Sequence, residues 1–579
     1  MKLIDALNRL QVPQAENAPQ LRLFLACGFT PLHLQTFIAA ETRALRFDSR
    51  VSVETGLFGD LCGSLERLDL EGIDSLAVVI EWGDLDTRLA IRTLGGWRPS
   101  DLADILESSA RTAARLQRSI AEASRHVLTV VCMPTLPLSP MFPSRPSQAS
   151  SVEMQLRRIA AELAASLSEE LDIRIVSAQA LDEVSPPGTR YDVKSDVVSG
   201  FPYSLPHASA VGELLGGLIC NRQPKKGLIT DLDDTLWAGI LGEDGVDGIS
   251  WDLDRHSHMH GLYQQFVASL AGSGVLIGVA SKNDPELVAR AFARRDMLLS
   301  NDDIFPFETH WARKSESVQR ILKTWNVGAD TVLFIDDSPM EVAEVKEAFP
   351  EMECIVFPKG DYQGVWRLMK HLRDVFGKPY LTGDDALRLR SIRDSGAWRD
   401  ASRSFTESSE DFLKAAAACV CFEPVQPSVD ARAFDLVNKT NQFNLNGKRL
   451  NESEWKAFPS DPAAIGLTVS YRDKFGPLGK IAVILGERRG HVLSVNCWVM
   501  SCRAFSRRIE HQCVQYLFDS FGVDEIEFDY QATPRNGPLQ EFFVELLEAA
   551  PAQGMRLSRE QFTAKAPQLF HRIEGIVNV

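Results

Sequence analysis

The sequence predicts a multidomain α/β protein, on three observations. The chain has 579 residues, more than one domain usually holds. Short apolar runs alternate with amphipathic stretches over most of its length, the pattern of strands joined by crossover helices. Hydrophobic residues make up 45% and charged residues 24%, enough to bury several independent cores.

Residues 1–220 carry strand-like runs (LRLFLA, LAVVIEW, VLTVVCMP, IRIVSA) between helical stretches such as DLADILESSARTAARLQRSIAEA. That alternation predicts a mostly parallel sheet, interrupted by an exposed loop, PTLPLSPMFPSRPSQASS. Residues 221–380 form a second α/β unit with strands KGLITDLD, GVLIGVAS, DTVLFIDD and MECIVFP. Residues 381–415 read as a charged helical connector. Residues 416–579 alternate helix with LTVSYRDKFG, KIAVILGER and HVLSVNCWVM, a mixed and mainly antiparallel sheet.

The net charge of -16 argues against nucleic acid or an anionic membrane as a partner. Ten cysteines without a repeated CxxC spacing predict neither a disulfide framework nor a zinc ribbon. The opening MKLIDALNRLQVPQ has no signal-peptide core, and no later run approaches a membrane span. A reducing cytoplasm is the expected location.

The chemistry is expected where strands end in the second unit. KGLIT runs into Asp231 and Asp233, so one carboxylate can attack phosphorus while the other exchanges a proton. GVLIGVA runs into Ser281, a hydroxyl suited to a phosphoryl oxygen, and Lys314 in WARKSES can neutralise charge on the transferring group. TVLFI runs into Asp336 and Asp337, and grouped carboxylates suit Mg²⁺.

DLDDTLWAG, VASKND, Lys314 and FIDDSPME resemble the four motifs of the haloacid dehalogenase-like superfamily. The resemblance implies a Rossmann-like core with Asp231 as nucleophile, Asp233 as general acid/base, and Ser281 and Lys314 on the phosphate. It also implies Mg²⁺ on Asp231, the Asp233 backbone carbonyl, Asp336 and Asp337, with Thr235 and Asn283 as further substrate contacts. About fifty residues separate Asp231 from Ser281, and about thirty separate Ser281 from Lys314. Neither interval has room for a large cap, so the site is expected to be open to a bulky or tethered substrate.

The extended DLDDTLWAGILGEDGVDGI, with NKTNQFNLN, YRDKFGPLG, WVMSCRAFSRRIE and ATPRNGP, resembles the FkbH-like branch, subfamily IIIC. That resemblance implies removal of phosphate from D-1,3-bisphosphoglycerate, a glyceryl thioester on the enzyme, and transfer to a phosphopantetheinylated acyl carrier protein in polyketide-type biosynthesis. It also implies a C-terminal α+β region similar to GNAT acyltransferases.

Cys502 is the candidate thiol, because Arg503, Arg507 and Arg508 would lower its pKa and hold anions. Ser506 stands where the branch has glycine. Asn438, Asn441, Gln442 and Asn444 could bind a hydroxylated acyl group or serve as turn residues, and Asp473 and Asn536 lie in family-like segments. Cys497 reads as core, and Cys419 and Cys421 as strand residues. Residues 1–220 loosely resemble an SGNH-hydrolase-like domain whose serine and late acid are missing. Cys27 or Thr30 with His207 would be a variant catalytic pair, but a non-catalytic docking or scaffold domain is the expectation. His256, His258 and His260 read as histidines at a helix entrance rather than metal ligands. The other readings are a phosphatase, or a related transferase acting on another phosphorylated acid, with Cys502 structural; a coenzyme A-dependent acyltransferase with a vestigial phosphatase region; and a scaffold.

Overall fold

A computed structural model describes residues 1–14, 18–94, 98–140, 145, 147–170, 172–220, 224–378, 381, 385, 389–390, 392–393, 409–427, 430–458, 463–474, 476–501, 504–505 and 507–575. The protein is a multidomain α/β chain that divides into two compact units, residues 1–222 with 451–457, and residues 223–450 with 458–579. Most of the expected connector, 381–415, lies outside the described residues.

The first unit holds β1 (Gln20–Cys27), β2 (Arg50–Thr55), β3 (Ser75–Val79), β4 (Leu128–Cys132) and β5 (Ile173–Ile175). They form a parallel sheet in the order β2-β1-β3-β4-β5. Both faces are covered. Leu23, Leu25, Ala77 and Val79 meet the helices Leu32–Leu45 and Leu205–Cys220, while Leu76, Val78 and Val131 meet Leu102–Ser124 and Ser151–Ser168. Doubly covered strands explain why β3 and β4 read as continuous apolar runs rather than alternating ones.

The second unit begins with β6 (Gly227–Thr230), β7 (Leu276–Ser281), β8 (Phe307–Thr309), β9 (Val332–Asp336) and β10 (Glu353–Val356). All pairs are parallel, in the order β10-β9-β6-β7-β8. Along β6 and β9 successive side chains point to opposite faces. Leu228, Leu333 and Ile335 pack with the helices His258–Gly272 and Tyr362–Phe376. Ile229, Val332 and Phe334 pack with Lys314–Trp325 and Pro339–Ala348.

The same unit continues into a mixed sheet of β11 (Cys419–Pro424), β12 (Phe443–Asn444), β13 (Ala464–Asp473), β14 (Gly476–Arg489), β15 (Val492–Met500), β16 (Glu525–Phe528), β17 (Met555–Ser558) and β18 (Arg572–Glu574). The order is β17-β16-β15-β14-β13-β11-β18, with β12 on β15. Among the described residues only the β15/β16 and β11/β18 pairs are parallel. The helix Ile509–Phe521 makes the crossover from β15 to β16. No helix among the described residues is long and apolar enough to cross a membrane.

Trp325 sets the spacing between its helix and the sheet. Its indole lies over glycines on two neighbouring strands, so a Cβ on Gly227 would fall 2.5 Å from Cζ3 and one on Gly278 2.8 Å from Cζ2. Gly278→Ala therefore overpacks the slot and should destabilise the second unit by about 1–3 kcal/mol. Denaturant unfolding followed by tryptophan fluorescence would read the lowered midpoint; an unchanged midpoint would refute the slot.

Candidate active site

Asp231 follows directly on β6, and its N–H still donates to Ile335 O of β9 at 2.9 Å. The chain then turns back on itself. Asp234 adopts φ +49 and Gly239 φ +103. Asp234 N–H donates to Gly239 O at 3.3 Å, and Gly239 N–H donates to Asp234 Oδ1 at 2.9 Å.

This closed turn brings Trp237 beside Asp233. The Trp237 indole N–H donates to Asp233 Oδ1 at 2.9 Å, and the Leu241 N–H donates to the same atom at 3.1 Å. From β7, Asn283 Nδ2 donates to Asp233 Oδ2 and to Ser281 Oγ, each at 3.0 Å.

Lys314 opens its helix with its ammonium inside the cluster, at 2.7 Å from Asp231 Oδ1, 2.8 Å from Asp336 Oδ2 and 3.1 Å from Glu341 Oε2. Its side chain is only 2% exposed. Burial works against that charge, but Asp231, Asp336 and Glu341 outweigh it and raise the Lys314 pKa. Burial pushes the Asp231 and Asp336 carboxyls up, Asp231 adds to the rise at Asp336, and Lys314 opposes both.

Oxygens of Asp231, Asp336 and Asp337 lie within 4.8 Å of one another. An all-carboxylate set at that spacing fits a hard, oxygen-preferring divalent cation. Lys359, after β10, holds Asp337 at 2.7 Å and Asp234 at 3.1 Å. The structure thus brings together Asp231, Asp233, Ser281, Asn283, Lys314, Asp336 and Asp337. It adds three residues that the sequence reading did not single out: Trp237, Glu341 and Lys359. Lys359 follows the strand run MECIVFP, so the same strand-end rule would have reached it.

Thr235 does not reach the cleft. It is fully buried, its hydroxyl has no hydrogen-bond partner among the described residues, and its carbonyl accepts from His260 Nδ1 at 2.9 Å. His256 is exposed and His260 is buried against Phe357. Among the described residues the one grouping suited to a metal is Asp231, Asp336 and Asp337.

Cys502, Arg503 and Ser506 lie outside the described residues. Arg507 is buried 3.5 Å from Asp473 and over the Tyr471 ring, and Arg508 bonds Glu410 at 3.1 Å and Gln568 O at 2.8 Å. Asn444 is no ligand-facing amide. Its Oδ1 accepts from Asn446 N and Gly447 N, and its Nδ2 donates to Thr440 O. Asn536 and Asn438 likewise bond backbone groups, at Gln531 O and Leu450 N among others. Burial pushes the Cys497 thiol up to about 12.

Gln442 makes a reciprocal amide pair with Asn326, both bonds at 2.9 Å. Gln442 and Asn441, with Arg432, Lys226, Trp325 and Ser501, line a cavity of about 740 Å³. It touches the start of β6 and β7, the end of the sheet opposite Asp231.

In the first unit Cys27 and His207 are not paired. The Cys27 thiol donates to Phe29 O at 3.3 Å and burial raises its pKa. His207 is buried, with Nε2 on Thr135 Oγ1 and Nδ1 on Ser185 Oγ, each at 2.9 Å, and burial lowers its pKa to about 3.

No family model matches this chain, and no curated protein does. A solved structure, described as the N-terminal part of the protein BF1531 from Bacteroides fragilis containing phosphatase domain complexed with Mg, aligns with TM-score 0.53 at 19% identity. The alignment covers 66% of this chain and 100% of that one. The likeness shows a shared fold. A GCN5-related glucosamine N-acetyltransferase region of a fungal multi-domain β-N-acetylglucosaminidase aligns at 10% identity over 92% of this chain and 63% of that one. Its TM-score of 0.14 carries no argument about fold.

The raised carboxyls have a consequence for pH. A carboxyl whose folded pKa lies above its unfolded value stabilises the fold at low pH. That stability is lost as pH rises out of the ordinary carboxylate range towards about 7, the value at Asp336. A divalent ion replaces the missing protons. The rise in melting temperature on adding Mg²⁺ should therefore grow from about pH 5 to about pH 8 and vanish in Asp336→Asn. A shift independent of pH, read by scanning fluorimetry, would contradict the assignment.

Proposed function

We propose that this protein is a Mg²⁺-dependent phosphatase of the haloacid dehalogenase-like type, coupled to loading of a glyceryl group onto an acyl carrier protein. The observation that carries the phosphatase half is the Asp231–Lys314–Asp336 cluster at the C-terminal ends of two neighbouring strands, with Asp233 clamped beside it. The phosphatase domain and Mg named for the Bacteroides fragilis structure support the same reading.

An oxygen of Asp231 attacks phosphorus as the bond to the leaving oxygen breaks, and Asp233 gives that oxygen its proton. Lys314 and the Ser281 hydroxyl hold the phosphoryl oxygens. Water then attacks the aspartyl phosphate, Asp233 takes its proton, and inorganic phosphate departs. Mg²⁺ bound by Asp231, Asp336, Asp337 and the Asp233 carbonyl would neutralise charge on the transferring group.

Chemistry divides the work on D-1,3-bisphosphoglycerate. Attack by Asp231 on the acyl phosphate would release a free carboxylate and discard the activated carbonyl. The acyl phosphate therefore belongs to the Cys502 thiolate, which forms a thioester and expels phosphate, and the phosphate ester belongs to Asp231. A carrier-protein phosphopantetheine thiol then exchanges with the thioester. The nine described cysteines are all unbridged, which suits a reducing cytoplasm.

A second reading keeps the phosphatase and makes Cys502 structural. The pairing of Arg507 with Asp473 and of Arg508 with Glu410 favours it.

Intact-mass spectrometry separates the two. With fresh D-1,3-bisphosphoglycerate and Mg²⁺, the wild type should gain a hydroxylamine-labile glyceryl group of about 88 Da, absent in Cys502→Ala. Asp231→Asn should stop phosphate-ester hydrolysis and trap the phosphoglyceryl adduct, roughly 168 Da. Ester hydrolysis with no adduct in any variant leaves the second reading.

A further inference from the structure

Trp237 is wholly buried, and its ring is set edge-on against Phe292 with centroids 5.9 Å apart. Its one polar atom is aimed at Asp233 Oδ1, 2.9 Å away, where the Leu241 N–H also donates at 3.1 Å. An ionised carboxylate offers about two lone-pair sites on each oxygen, so both sites on Oδ1 are occupied. Among the described residues Oδ2 receives a single donor, Asn283 Nδ2, whose other bond runs to Ser281 Oγ. Oδ2 is thus the oxygen with an open site, and Asn283 ties it to the hydroxyl expected to hold the phosphoryl group. Rotating the carboxyl would break both bonds to Oδ1 inside a turn already closed by Asp234 and Gly239.

We propose that Trp237 is a positioning residue that locks the Asp233 carboxyl with Oδ2 towards the leaving oxygen, and that this fits the site to phosphate esters of alcohols rather than to acyl phosphates. The inference rests on the phosphatase reading above and deepens it by naming the class of leaving group. As the Asp231 oxygen bonds to phosphorus, the electron pair of the breaking P–O bond goes to the leaving oxygen. An alcohol's oxygen is strongly basic and takes the proton from Asp233 Oδ2, leaving Asp233 ionised. The carboxylate released from an acyl phosphate is stable without a proton, so an acyl phosphate gains little from the clamp.

The test compares kcat/KM of the full-length wild type and Trp237→Phe on glycerol 3-phosphate and acetyl phosphate, at saturating Mg²⁺. The quantity kcat/KM covers steps up to the first irreversible one, which includes P–O cleavage. Trp237→Phe should lose roughly 10- to 100-fold on glycerol 3-phosphate, a part of the roughly 100- to 10,000-fold that general acid catalysis contributes, and less than about 3-fold on acetyl phosphate. Partial unfolding lowers both rates by the same factor, so the ratio of the two losses is immune to it. In a double-mutant cycle, Trp237→Phe should add little to the loss already caused by Asp233→Asn on glycerol 3-phosphate. Equal losses on the two substrates, no loss on either, or full additivity with Asp233→Asn would overturn the proposal. Failure of the phosphatase reading shows separately, as undiminished phosphate release by Asp231→Asn, and it overturns both.

Discussion

The Lys314 ammonium is the charge on which the active-site end of the second unit depends. Strands β6 and β9 are neighbours, with Thr230 opposite Ile335, so the acids that follow and end them are forced side by side. Asp231 and Asp336 have side chains 9% and 0% exposed. Two carboxylates cannot both ionise there without a counter-charge. Lys314 supplies it from a third element, and Glu341 and Lys282 extend the network outwards. Removing the ammonium would leave uncompensated buried charge, a loss that typically costs about 3–5 kcal/mol.

Sheet order turns scattered sequence positions into one row. Reading across β10-β9-β6-β7, the strand ends present Lys359, then Asp336 and Asp337, then Asp231 and Asp233, then Ser281 and Asn283. Parallel strands place all these ends on one edge, which is why an open α/β sheet concentrates chemistry there. The cavity holding Asn441, Gln442 and Ser501 touches the other edge. With about 3.3 Å per residue, the four residues of β6 and six of β7 separate the two edges by roughly 13–20 Å.

Much of this was legible in the residues, for a physical reason. A buried parallel strand must be an apolar run, and the first polar residue after it must sit at the sheet edge, so the acids of DLDDT and FIDD and the serine of VAS announce their own positions. What was not legible depends on where the chain returns. Trp237 reads as a core aromatic until the turn at Asp234 is seen to bring its indole nitrogen to Asp233. Thr235 shares the spacing of Asp231 and Asp233, but that turn carries it into the interior. Asn438, Asn444 and Asn536 have the composition of a polar pocket, yet side-chain amides satisfy buried backbone groups equally well, and here they do. Cys27 and His207 sit at plausible places along the chain, but both nitrogens of His207 are taken by Thr135 and Ser185.

The proposed function asks two different nucleophiles to act on one substrate. If phosphate removal and acyl capture drew on one cleft, the same Asp231 that hydrolyses the ester would face the acyl phosphate and destroy it by attack on phosphorus. Leaving-group chemistry acts against that loss. The clamp of Trp237, Leu241 and Asn283 fits Asp233 to a basic leaving oxygen, and an acyl phosphate gains little from it. Under that proposal a substrate tethered as a thioester would no longer have an acyl phosphate to lose, so its ester could be presented to Asp231 without that risk. The lack of room for a large cap between Asp231 and Lys314 would then be a requirement of the proposed function, because a tethered ester would have to enter from outside the sheet edge.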